Sequence, residues 1–120
     1  MDRDELKIRL KQFALRVIKL VDNMPKTRSG NALANQIIRS GTSPYANYCA
    51  ACIGKSEKDF LNKLKMVEEE LDETAHWLEL TMDSGMIKKE RLTELHSENL
   101  ELLRIITRSI ITMREKINKS

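Results

Sequence analysis

The chain reads as an all-α protein, an antiparallel up-down-up-down four-helix bundle, and three observations predict it. Apolar residues recur at three- and four-residue spacings over four long stretches, the period of a helix with one buried face. Aromatic residues make up only 4% of the chain, with 4 Gly and 2 Pro, a profile that favours long helices over short strands and frequent turns. Helix breakers and capping residues cluster between the stretches. At 120 residues, 41% apolar and 32% charged, the chain can bury one continuous core and is neither disordered nor fibrous. Residues 1–120 are therefore read as a single domain.

The first helix is expected over about residues 4–23. Leu6, Leu10, Phe13, Val17 and Leu20 share one stripe, and Glu5 and Arg9, four apart, form a supporting surface pair. Met24-Pro25 ends it, because proline disfavours the helical conformation in the residue before it. The second, about 27–53, carries Leu33, Ile37 and Ile38 before Ser40-Gly41-Thr42-Ser43-Pro44 intervenes. This spacing fits one long helix kinked near Gly41–Pro44, or two short ones nearly in line. Ala46, Cys49, Ala50, Ala51 and Cys52 are small enough for a neighbouring backbone to approach closely. The third, about 57–83, starts at the cap Ser56, with acidic residues in the first turn where the helix dipole favours them. Its stripe is Phe60, Leu64, Val67, Leu71, Ala75, Leu78 and Met82, and Ser84-Gly85 stops it. The fourth, about 89–118, has Leu92, Leu95, Asn99, Leu103, Ile106, Ile110, Met113 and Ile117 on one seam. At about 100° per residue Leu100 and Ile111 fall well to one side of that seam, which marks them as subunit-contact residues. Connections this short run successive helices antiparallel.

Several chemistries are excluded by what would have to accompany them. No apolar run approaches the roughly 20 residues of a membrane-spanning helix, and the acidic start Asp2-Arg3-Asp4-Glu5 is unlike a signal peptide. A cytoplasmic protein without membrane contact is expected. Two cysteines form no disulfide framework. Cys49-Ala50-Ala51-Cys52 has the spacing of a redox pair or half a zinc site, but no strand precedes it, and His76 and His96 lie on other helices. Glu73-Thr74-Ala75-His76 has the spacing used in di-iron bundles, which need a second such motif and a carboxylate from each remaining helix. The second helix has no acid at all. No nucleophile elbow or phosphate loop is present. The expectation is a protein that is not an enzyme, with no cofactor and no metal.

The net charge of +3 hides a segregation. Residues 1–56 carry ten Lys or Arg against four Asp or Glu, residues 57–84 three against nine, and residues 85–120 eight against five. The dense acids Glu68, Glu69, Glu70, Asp72 and Glu73 repel one another and call for a basic counterpart nearby, in the same or a neighbouring subunit. Lys7, Lys11, Arg28, Arg39, Arg104, Arg108 and Arg114 are the candidates for contact with nucleic acid, although no recognised binding motif or aromatic stacking platform accompanies them.

The segments Gln36-Ile37-Ile38-Arg39-Ser40-Gly41-Thr42-Ser43-Pro44-Tyr45-Ala46-Asn47-Tyr48, Ser56-Glu57-Lys58-Asp59-Phe60 and Glu70-Leu71-Asp72-Glu73-Thr74-Ala75-His76-Trp77-Leu78-Glu79-Leu80 resemble the four-helix-bundle proteins of the 23S ribosomal RNA intervening-sequence family. The likeness covers nearly the whole chain. It implies a bacterial bundle that assembles as a ring-like homo-oligomer, typically a pentamer, without established enzymatic activity. A structurally similar group, the accessory variability determinants of diversity-generating retroelements, forms pentameric basic bundles that engage nucleic acid, which raises the expectation of RNA as a partner. Within this resemblance Arg39, Ser40, Thr42 and Asn47 are expected to fix helix register or line a subunit boundary, and Trp77 to anchor core or interface packing. Two functions from different classes follow: a non-catalytic homo-oligomer associated with RNA or an RNA–protein assembly, and a protein-only scaffold whose charge pattern serves self-assembly.

Overall fold

The computed structural model describes residues 1–119 and contains four α-helices: α1 (Arg3–Asp22), α2 (Arg28–Cys52), α3 (Glu57–Ser84) and α4 (Lys89–Asn118). Each start but the last has a side-chain cap. The Asp2 carboxylate accepts from the Glu5 amide at 2.8 Å, Thr27 Oγ1 from Gly30 at 3.0 Å and Ser56 Oγ from Asp59 at 3.1 Å, each satisfying an amide that the helix itself cannot. The Glu5 amide holds the Asp2 carboxyl below its usual range. α3 ends on Gly85 at φ +77, a left-handed C-cap that glycine adopts without a Cβ penalty.

Four stripes meet in one core. Leu10, Phe13, Val17, Ile37, Leu64, Val67, Leu71, Leu78, Leu92, Leu102 and Ile106 are all essentially sealed from solvent, and each such side chain favours folding by about 1.5–3 kcal/mol relative to exposure. On α4 the structure corrects one seat of the expected seam. Leu102 is wholly buried and Leu103 only partly, because Leu92, Leu95, Asn99, Leu102, Ile106 and Ile110 follow the 3.6-residue period more closely. Contacts run in opposite senses along neighbouring helices. Val21 lies by Asn31 and Ala34 where Val17 meets Gly41, Tyr48 meets Phe60 where Ser40 meets Thr74, and Glu57, Glu68 and Glu79 meet Lys116, Thr107 and His96 in turn. Neighbours are therefore antiparallel, in a rod measuring 52 × 22 × 20 Å. The contact between α1 and α4 is the thinnest of the four.

α2 runs as one continuous helix through Pro44. Thr42 Oγ1 donates to the Ile38 carbonyl at 2.6 Å and Asn47 Nδ2 to the Ser43 carbonyl at 3.2 Å, so side chains bond backbone acceptors on both sides of a residue that has no N–H. Inside the bundle, Ser40 and Thr74 share a hydroxyl hydrogen bond of 2.8 Å, and Asn99 Nδ2 donates to the Leu71 carbonyl at 2.9 Å. These buried polar ties fix the register of α3 against α2 and α4, since leaving either donor unpaired costs about 1–3 kcal/mol.

Between α1 and α2, Gly41 sits close on Val17, where an added Cβ would lie 2.8 Å from both Val17 methyls. On helix propensity alone Gly41→Ala gains about 1 kcal/mol, but overpacking a stiff β-branched neighbour costs about 1–3 kcal/mol. Urea denaturation is expected to show Gly41→Ala destabilised, with Val17→Ala in the same chain recovering part of the loss. A Gly41→Ala protein more stable than the parent would show that this approach is not limiting.

Candidate nucleic-acid interface

Four outward faces surround the rod, and each carries a different chemistry. On the α2–α3 face Arg39 is held by Glu70 at 3.1 Å and by Glu73, and it also donates to Gln36 Oε1 at 3.1 Å. Trp77 packs half-buried beside it and donates Nε1–H to Glu73 Oε1 at 3.1 Å. Two carboxylates on one guanidinium leave no net positive charge there to offer a phosphate. Ser40 lies under this network, fully buried, while Thr42 and Asn47 bond within their own helix.

The α1–α2 face is apolar and basic. Ile8, Leu15 and Ile18 are exposed on α1, and Ile38 is exposed on α2. Ile18 follows Val17, which rests on Gly41, and Ile38 precedes Gly41 by one turn, so both border the same seam. Lys7 and Lys11 stand on this side of α1, in no ion pair among the described residues. Cys49 and Cys52 are half-buried free thiols here. The Cys49 thiol raises the pKa of the Tyr45 phenol, and burial, with Cys52 beside it, pushes the Tyr48 phenol above its ordinary value.

The α3–α4 face is apolar and acidic. Glu68, Glu69, Asp72, Leu103 and Thr107 line a shallow depression of about 280 Å³, and Leu100 and Ile111 are exposed on the same side of α4, at 39% and 51%. His96 faces Glu79 at 3.4 Å, and His76 lies out in solvent against the Asp72 carbonyl at 2.8 Å. Among the described residues no three His, Cys, Asp or Glu side chains come together as a metal-ligand set.

The α1–α4 seam is the cationic one. At its middle Arg9 grips Glu98 with two donors, Nε to Oε2 at 3.0 Å and a second to Oε1. The guanidinium therefore turns away from Glu5, the partner expected from the sequence, and the hydrogen bond to Glu98 raises its pKa. Above this pair, Arg16, Lys19, Leu20, Asn23, Arg91 and Leu95 line a cleft of about 300 Å³ with no carboxylate. Below it, Arg3 lies 4.2 Å over the Phe60 ring and shares with Arg108, Ser109 and Thr112 a cleft of about 420 Å³ floored by Leu6, Tyr48, Phe60 and Ile105.

The remaining sequence candidates are scattered. Arg104 is paired with Glu101 within its own helix, Arg28 stands at the start of α2 and Arg114 near the end of α4. Arg108 joins the lower cleft, and none of the others lines the upper one. Arg16, Lys19 and Arg91 escape a reading of the sequence. The available signal is that Arg16 and Lys19 flank the α1 stripe with Gln12, Leu15, Leu20 and Asn23 four residues away on either side, and no acid among those four.

Residues 6–108 match the model of the 23S rRNA-intervening sequence protein family. The chain belongs to that family. A solved structure similar to this 23S rRNA-intervening sequence family member is a protein of unknown function from the S23 ribosomal protein family of Bacteroides thetaiotaomicron. It is 30% identical, with a TM-score of 0.82 over 88% of this chain and 97% of the other. No curated protein matches the chain. In this family member no helix among the described residues is long and apolar enough to cross a membrane.

The Arg9–Glu98 pair, with both side chains about three-quarters shielded, ties the thin seam together. Glu98→Gln is expected to lower stability by about 1–2 kcal/mol, read from the urea midpoint. An unchanged midpoint would mean that solvent replaces the pair without loss.

Proposed function

We propose that the chain acts as a non-catalytic, ring-forming homo-oligomer that associates with RNA or an RNA–protein assembly. The observation that carries this reading is the segregation of chemistry by face. The α1–α2 face joins exposed Ile8, Leu15, Ile18 and Ile38 to Lys7 and Lys11, whereas the α3–α4 face joins exposed Leu100 and Ile111 to Glu68, Glu69 and Asp72. The two are complementary in charge, and each alone leaves apolar surface in water. Because they differ, one copy docks on the next head to tail, and such a contact closes into a ring where the rotation allows. Five copies are the number that the family resemblance implies.

That arrangement uses two faces and leaves the α1–α4 seam open on every copy. Its unpaired cations Arg16, Lys19 and Arg91 then repeat around the ring, a surface suited to a polyanion. The family is described by intervening sequences of 23S rRNA, and the solved relative by a ribosomal protein family; both support RNA as the polyanion. The same complementary faces favour a second reading, a protein-only scaffold in which charge serves assembly alone.

Two measurements separate them. Leu100→Lys with Ile111→Lys, both on exposed positions, is expected to convert the oligomer to folded monomer by light scattering and circular dichroism. An oligomer of unchanged mass would remove the α3–α4 face from the interface. Nuclease-treated protein titrated with structured RNA is expected to lose affinity about twenty- to fortyfold on a fourfold rise in salt, for about three phosphates contacted per copy. No binding at low salt would leave the scaffold in its place.

A further inference from the structure

We propose that the upper cleft of the α1–α4 seam is a site for the terminal phosphate of an RNA strand. The proposal rests on the RNA reading above and narrows it to one group of the partner. Arg16, Lys19 and Asn23 come from the last two turns of α1 and the residue that caps it, and Arg91 comes from the first turn of α4. They converge on one opening of about 300 Å³ whose remaining walls are Leu20 and Leu95. Three cationic side chains line this cleft, and no carboxylate does.

Neighbouring cations show how this chain ordinarily treats such charges. Arg9 in the same seam has Glu98, Arg39 has Glu70 and Glu73, and Arg104 has Glu101. Among the described residues Arg16, Lys19 and Arg91 have no ion-pair partner. Like charges brought together across two helices repel, and the low-dielectric walls concentrate their field in the cleft. An anion there removes that repulsion and gains three attractions at once. Asn23 adds an amide whose Nδ2 already donates to the Lys19 carbonyl at 2.8 Å, which holds its head at the cleft edge.

Two features select a terminal phosphate over an internal one. A phosphomonoester carries about −1.5 to −2 at pH 7, against about −1 for each phosphodiester along a strand, so three cations discriminate in its favour. The cleft is also short. The Arg9–Glu98 pair, neutral overall and bound through two donors, closes the seam below it. That leaves a point site with forked guanidinium donors from two helices, and no continuous track.

The test uses the full chain and one oligoribonucleotide sequence in three forms, with a 5′-phosphate, a 3′-phosphate, or hydroxyls at both ends. Fluorescence anisotropy follows binding, and inorganic phosphate serves as competitor. One phosphorylated form is expected to bind about tenfold more tightly than the hydroxyl form, with the preference shrinking as salt rises. Arg16→Gln/Lys19→Gln/Arg91→Gln, all at exposed positions, should erase the preference and leave hydroxyl-ended binding within about threefold. Lys7→Gln/Lys11→Gln should keep it. Equal binding of all three forms, weakened alike by the triple variant, overturns the terminal site while the RNA reading stands. A preference that survives the triple variant places the terminus elsewhere and also overturns it. Absence of binding by every form sinks the RNA reading and the site with it.

Discussion

Three connectors, of five, four and four residues between consecutive helices, constrain everything else in this molecule. A chain that must reverse in so few residues lays each helix antiparallel along its predecessor. Three of the four seams are thus drawn tight by covalent continuity, and they hold the close approach of Gly41 to Val17, the Ser40–Thr74 hydroxyl pair and the Asn99 amide on Leu71. The fourth seam, between the first helix and the last, has no connector. It is held by Arg9 and Glu98 and opens into a cleft on either side of them. The cationic chemistry of the protein lies where the covalent constraint is absent.

Charge and packing reinforce one another around the rod. The acidic density of α3 splits between two faces: Glu70 and Glu73 are consumed by Arg39, while Glu68, Glu69 and Asp72 stay open beside apolar residues of α4. A helix that neutralises one flank internally and leaves the other charged is directional. Under the proposed self-association such a molecule has a front and a back, which favours closed cyclic assembly over face-to-face pairing.

The helices are legible in the sequence to within about a residue because their stripes follow the helical period and their ends carry Thr27, Ser56 and Gly85. Leu102 and Leu103 mark the limit of that method. Adjacent leucines both satisfy a loose three-or-four rule, and only packing against α3 and α1 decides which is buried. At Pro44 the sequence left open one long kinked helix or two short ones nearly in line, and α2 is continuous through it. Much less of the candidate site is legible. Arg16, Lys19 and Arg91 lie on helices at opposite ends of the fold's connectivity, and no motif spacing joins them. Likewise the sequence sets Glu5 beside Arg9, but the seam brings Glu98 closer, and a bidentate partner across the seam displaces the local one.

The thin contact between α1 and α4 also sets the order in which the molecule loosens. Sub-global opening is expected to start where the fewest groups must be separated, with α1 parting from α4 while α2, α3 and α4 still hold together. Amide protons of α1 would then exchange with solvent ahead of those in the middle of α3. An anion held jointly by Arg16 and Arg91, as proposed, would bridge the two helices that part and slow the breathing of the first helix with little change of shape.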